Sequence, residues 1–154
     1  MRRARPLPLA ALGAVLALAA GCGEDTEDVS SEELISRGDE LCREGQERFA
    51  EIQEETPASA DQALEQTEDL VEIASSELDE LRRMRPPEDV RDRYDRYLEA
   101  REEALGQLER GRDAAADGDS RGYADAQTEL ADRRGERAKL ARAIGFRDCS
   151  AGRR

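Results

Sequence analysis

Residues 59–88 read SADQALEQTEDLVEIASSELDELRRMRPPE, and this stretch decides the fold class. Ala60, Ala63, Leu64, Thr67, Leu70, Val71, Ala74, Leu78 and Leu81 fall on one side of a period of 3.6 residues, with charged residues between them. Ser59 followed by Gln62 is a helix-start pattern. Arg82, Arg83 and Arg85 then stand before Pro86-Pro87, as expected of cations at a helix C-terminus and prolines just beyond it. The spacing therefore predicts one long amphipathic helix with both ends marked.

The same reading extends in both directions. Upstream, Ser30 with Glu33 forms a capping-box pattern, and Ile35, Gly38, Cys42, Gly45, Phe49 and Ile52 recur at alternating steps of three and four until Thr56-Pro57 stops the helix. Downstream, Pro87-Glu88-Asp89 opens a helix that turns Val90, Tyr94, Tyr97, Leu98, Ala104, Leu105, Leu108 and Ala115 inward. Asp89 with Arg93 and Asp92 with Arg96 are i,i+4 pairs on its outer face. Asp117-Gly118-Asp119-Ser120 is a turn, and a last helix carries Tyr123, Ala126, Leu130, Ala138, Ala141 and Ile144 to Gly145, with Phe146 as the contact of a glycine cap. Four helices of matched length joined by short connections predict an all-α domain, an antiparallel up-down-up-down four-helix bundle over residues 30–149 with a tail at 150–154. No internal repeat or second domain is visible.

The N-terminus is of a different kind. Arg2, Arg3 and Arg5 precede an uncharged apolar run from Leu7 to Ala20. A membrane span needs about 20 apolar residues, so this run of 14 is short for one and has the layout of an export signal. Leu18-Ala19-Ala20-Gly21-Cys22 resembles the lipobox of bacterial lipoproteins, with Ala19 where that family most often has leucine and Leu18 one place early. The resemblance implies that residues 1–21 are a removable signal peptide, that Cys22 is lipidated, and that the mature protein is held on the outer face of the cytoplasmic membrane. Residues 22–29, rich in Glu and Asp, then read as a mobile acidic tether. A secreted protein cleaved near Ala20, with Cys22 a free thiol, is the competing reading.

Lipidation of Cys22 leaves an even pair, Cys42 and Cys149, which an oxidising compartment would join as a disulfide; two separate thiols are the alternative. In an up-down-up-down bundle the last helix ends beside the start of the first, yet Cys42 lies about 12 residues into its helix, roughly 18 Å at 1.5 Å per residue. Either the tail after Gly145 folds back, or the first helix projects as a stalk.

Charge narrows the partners. Without Arg2, Arg3 and Arg5 the chain has 21 basic and 37 acidic residues, a net of −16, which disfavours nucleic acid and anionic headgroups. Residues 22–80 hold three basic and 21 acidic residues, while residues 81–154 hold 18 and 16, so the halves should attract. A docking face for a basic partner is the rival explanation.

There is no histidine, so imidazole catalysis and imidazole metal ligation are excluded. The run from Asp117 to Asp125 has acids at positions one, three and nine of a calcium loop and a glycine at six. Arg121 and Thr128, however, occupy positions where oxygen ligands belong, and a helix turn capped by aspartate explains the same residues. No catalytic, cofactor or metal site is expected. Gly38 and Gly45 on the buried stripe call for either close helix approach or a small-ligand groove.

Beyond the lipobox, the chain is similar to the uncharacterised small helical lipoproteins of high-GC Gram-positive bacteria. The likeness rests on the cysteine in the first helix, the Leu81-Arg-Arg-Met-Arg-Pro-Pro-Glu88 junction, the acid-glycine-acid turn and Gly145-Phe-Arg-Asp-Cys149. It brings no activity with it. The expected function is a membrane-anchored, non-enzymatic module that binds an envelope protein or serves as an accessory subunit. A small-molecule or cation binder and a passive envelope spacer are the alternatives.

Overall fold

A computed structural model describes residues 26–151. The expected signal peptide, Cys22, the beginning of the tether and the final three residues lie outside the described residues. The fold is all-α: α1 spans Ser31–Ile52, α2 Ala60–Arg83, α3 Glu88–Ala116, α4 Ser120–Asp132 and α5 Arg134–Ile144, with two two-residue strands, β1 (Glu27–Asp28) and β2 (Met84–Arg85), paired in parallel. The helix α3 is central and packs on α2, α4 and α5, while α1 packs on α2.

The helix ends obey the signals in the chain. The Ser30 hydroxyl accepts the Glu33 backbone N–H, and the Glu33 carboxylate accepts the Ser30 N–H in return. The Ser30 N–H, and the Ser30 hydroxyl that also donates to the same carboxylate, hold the Glu33 carboxyl below its ordinary range. Ser59 caps Gln62, and Asp119 accepts the N–H groups of Arg121 and Gly122. Gly145 adopts φ 113°, the left-handed conformation that ends α5, and the Phe146 N–H reaches back to the Ala141 carbonyl.

Three expectations are corrected. The last helix is interrupted at Arg133, where α4 gives way to α5, and Gly135 just beyond lowers the local helix propensity. Glu27–Val29, expected to belong to the free tether, are docked: β1 pairs with β2, the Val29 N–H donates to the Arg85 carbonyl, and the Val29 side chain is buried. On α3, Arg93 and Arg96 donate to the backbone carbonyls of Asp89 and Asp92 rather than to their carboxylates.

The apolar core has two parts. The larger gathers Val29, Leu34, Leu81, Met84, Val90, Tyr94, Tyr97, Ala141, Ile144 and Phe146; the smaller gathers Leu70, Ala74 and Leu108 with half-buried Phe49, Leu105 and Leu130 around them. Phe146 stands edge-on to both tyrosines, its ring centroid 6.3 Å from that of Tyr94 and 5.5 Å from that of Tyr97. The Tyr94 hydroxyl donates to the Leu81 carbonyl at 2.8 Å.

Burial raises the pKa of both Tyr94 and Tyr97. Their protons are held in the folded state at pH values where the unfolded chain, with tyrosine near pH 10, has released them. Stability is therefore unaffected by these groups below about pH 10 and declines above it, by up to about 1.4 kcal/mol per pH unit for each tyrosine. Urea unfolding between about pH 8 and about pH 11 reads this decline, and a double Tyr94→Phe, Tyr97→Phe variant should flatten it.

Candidate functional site

Cys42 and Cys149 are joined as a disulfide with Cα atoms 5.0 Å apart. The tail after α5 folds back along α1, which resolves the distance problem posed by the sequence. Asp39 accepts the backbone N–H groups of Arg147 and Asp148, and the Gln46 amide donates to the Asp148 carbonyl at 2.7 Å. Glycine makes this approach possible, because a Cβ on Gly38 would stand 2.5 Å from the Phe146 ring.

Beneath the disulfide lies a cavity of about 380 Å³ between α1, α2, α3 and the last two helices. Phe49, Leu105, Leu108 and Leu130 give it an apolar wall, and Glu77, Arg101, Arg134 and Arg137 are its charged residues. Its size lies within the roughly 300–1,000 Å³ of ordinary small-molecule pockets, and its wall is more evenly divided between polar and apolar surface than theirs.

The polar residues are held from several helices. On α2, Glu77 is buried and pairs with Arg101 of α3 at 2.5 Å. Its carboxylate lies against Gly45 of α1, where a Cβ would come within 2.8 Å of Oε2. Gly45 is thus the gap into which the glutamate fits. The Tyr97 hydroxyl stands 3.6 Å from Cys42 Sγ, and since a disulfide sulfur carries no hydrogen, the hydroxyl is the donor.

On α5, Arg137 Nη2 donates to the Leu130 carbonyl at 3.2 Å. Its Nη1 is buried and has no hydrogen-bond partner among the described residues. Burial first, then repulsion from Arg101 and Arg134, lowers the Arg137 pKa, the signature of a cation lacking its counter-charge.

No protein-family model, curated protein or solved structure matches this chain.

Of the site residues expected from sequence, Cys42 and Cys149 are brought together at the cavity's edge, while Cys22 lies outside the described residues. Gly45 borders the cavity, and Gly38 is filled by Phe146. Asp119 serves as a helix cap, and no group of three or more Cys, Asp or Glu suited to a metal ion occurs among the described residues. Of the arginines at the end of α2, Arg82 pairs with Glu102, Arg83 with Glu80 and Arg85 with Asp28. Sequence reasoning missed Glu77, Arg101 and Arg137. The available signal for Glu77 was its place three residues after Ala74, on the buried side of α2.

The expected attraction between the acidic and basic halves is narrow. Among the described residues it takes the form of Arg101 with Glu77 and Arg85 with Asp28, the ion pairs between them that are distant in sequence.

Proposed function

We propose that the protein is a lipid-anchored, non-enzymatic binding module of the cell envelope, tethered through Cys22 to the outer face of the cytoplasmic membrane and taking a small molecule into its interior. The observation that carries this reading is the cavity, whose mixed wall includes Arg137, an arginine with no carboxylate partner among the described residues. A concave site with a mixed wall and one unmet charge favours a small ligand over a broad protein surface.

The anchor rests on the lipobox-like Leu18 to Cys22 and the charged, then apolar, segment before it. No helix among the described residues is long and apolar enough to cross a membrane. In this reading residues 1–21 are removed, and residues 30–149 form an up-down-up-down antiparallel bundle in which α4 and α5 together act as the fourth helix. Two features support that topology. The β1–β2 pairing brings the end of α2 beside the start of α1, and the tail after α5 returns to Asp39 near the start of α1.

The anchor is tested by membrane fractionation. The wild-type protein should sediment with membranes, and Cys22→Ala should move to the soluble fraction or remain unprocessed; a Cys22→Ala protein that is processed and still sediments with membranes contradicts the anchor. Filling the interior with Ala138→Trp should abolish ligand binding without changing the fractionation, since Ala138 lines the cavity and Cys22 belongs to the tether.

A second reading, an accessory subunit that docks a basic protein, is favoured by the acidic outer faces of the first two helices, where Glu44, Glu47, Glu51, Glu65, Glu68 and Glu72 are all exposed. Loss of that partner on charge reversal at these positions, with the cavity untouched, distinguishes the two.

A further inference from the structure

Four charges line the cavity, and they differ in how they are met. Arg101 is matched by Glu77 at 2.5 Å. Arg134 is exposed and carries its own hydration. Arg137 has one nitrogen bonded to the Leu130 carbonyl and the other buried and unpartnered among the described residues, with no carboxylate of the cavity left to neutralise it. A buried charge without a partner is costly, and an anion supplied from outside would relieve it.

Apart from exposed Arg134, the site lacks one negative charge. A monoanion balances Arg137, whereas a phosphate dianion would bring a second charge that the cavity has no free buried cation to meet. A carboxylate also suits the planar guanidinium as an acceptor of its N–H groups. Phe49, Ala74, Ala104, Leu105, Leu108 and Leu130 accept hydrocarbon, while Gln46, Gln53 and Tyr97 add polar groups to the wall.

We infer that the cavity binds a small aliphatic monocarboxylate, its carboxylate beside the Arg137 guanidinium and its hydrocarbon part against Phe49, Leu105, Leu108 and Leu130. This deepens the small-molecule reading above and rests on it, naming the ligand class of the same cavity.

The test is calorimetric titration of the full chain in phospholipid nanodiscs, with empty nanodiscs as the blank, using octanoate, 1-octanol and octylammonium as probes. Octanoate should bind with one site per chain, and octanol and octylammonium at least about tenfold more weakly, the loss of one charge-assisted hydrogen bond. Arg137→Gln should weaken octanoate by about tenfold or more while leaving octanol unchanged. Exposed Arg134→Gln should leave octanoate within about twofold. Helical circular dichroism shows that each variant is folded.

Octanol binding as tightly as octanoate would overturn the charge assignment yet leave the small-molecule reading standing. Failure of all three probes would overturn the inference and remove support from that reading as well.

Discussion

Loss of the Cys42–Cys149 disulfide should lower the stability of the helical domain by about 4 kcal/mol. The bond spans 107 residues, nearly the whole of the described domain, so it removes most of the unfolded chain's freedom to separate its ends. In the chain-entropy treatment a loop of about 100 residues contributes as much as about 4.7 kcal/mol, and typical measured values are about 2–4. For a chain with only 3% aromatic residues, few large side chains are available to offset the loss. Urea unfolding of a Cys42→Ala, Cys149→Ala protein should show a lower midpoint with the helical signal retained in buffer. A loss under about 1 kcal/mol would mean that Asp39, Gln46 and Phe146 already hold the tail, and that the bond adds little the fold does not already have.

Phe146→Ala should cost about 3–5 kcal/mol, the usual range for removing a fully buried phenylalanine. The ring is 1% exposed, meets Tyr94 and Tyr97 edge-on and occupies the notch at Gly38. It is the side chain that locks the returning tail onto the first and third helices. The companion Gly38→Ala gives the measurement its discrimination. In the native protein the new Cβ would come 2.5 Å from a ring with no room to retreat, a clash worth about 1–3 kcal/mol. With Phe146 replaced by alanine the clash disappears, and Gly38→Ala should become stabilising by up to about 1 kcal/mol through helix propensity. A Gly38→Ala effect of the same sign and size in both backgrounds would show that the two residues do not meet.

Much of this architecture was legible because local chemistry punctuates it. Ser30 with Glu33, Ser59, Asp119 and Gly145 each carry a helix-end signal that works within a few residues, and each is used in the fold as its type suggests. The inward faces were legible wherever apolar residues marked them, and became indistinct where they did not. On α1 the most deeply buried branched residue is Leu34 rather than its neighbour Ile35, a one-residue difference that periodicity alone does not resolve.

The cavity was the part least visible. Glu77 and Gln107 are buried, but a glutamate or glutamine in a helix reads as surface unless its partner is known. The partner of Glu77 is Arg101, 24 positions on and in another helix. Arg137 lies in a run with Arg133 and Arg134 that reads as solvated charge, and only the packing of α5 against α3 separates the one buried nitrogen from its exposed neighbours. The stripe containing Gly45 did signal that something approaches closely. That it is a carboxylate, and that a cavity opens beside it, follows from tertiary structure alone.

The most direct test of the central claim is native mass spectrometry of the protein released gently from its own membranes, beside an Ala138→Trp variant prepared in the same way. The account predicts a chain that begins at a lipid-modified Cys22 and carries one non-covalently bound small molecule, with the same lipid but no small molecule on the variant. A wild-type chain with a free Cys22 thiol, and with no bound molecule to distinguish it from the variant, would contradict both the anchor and the binding interior.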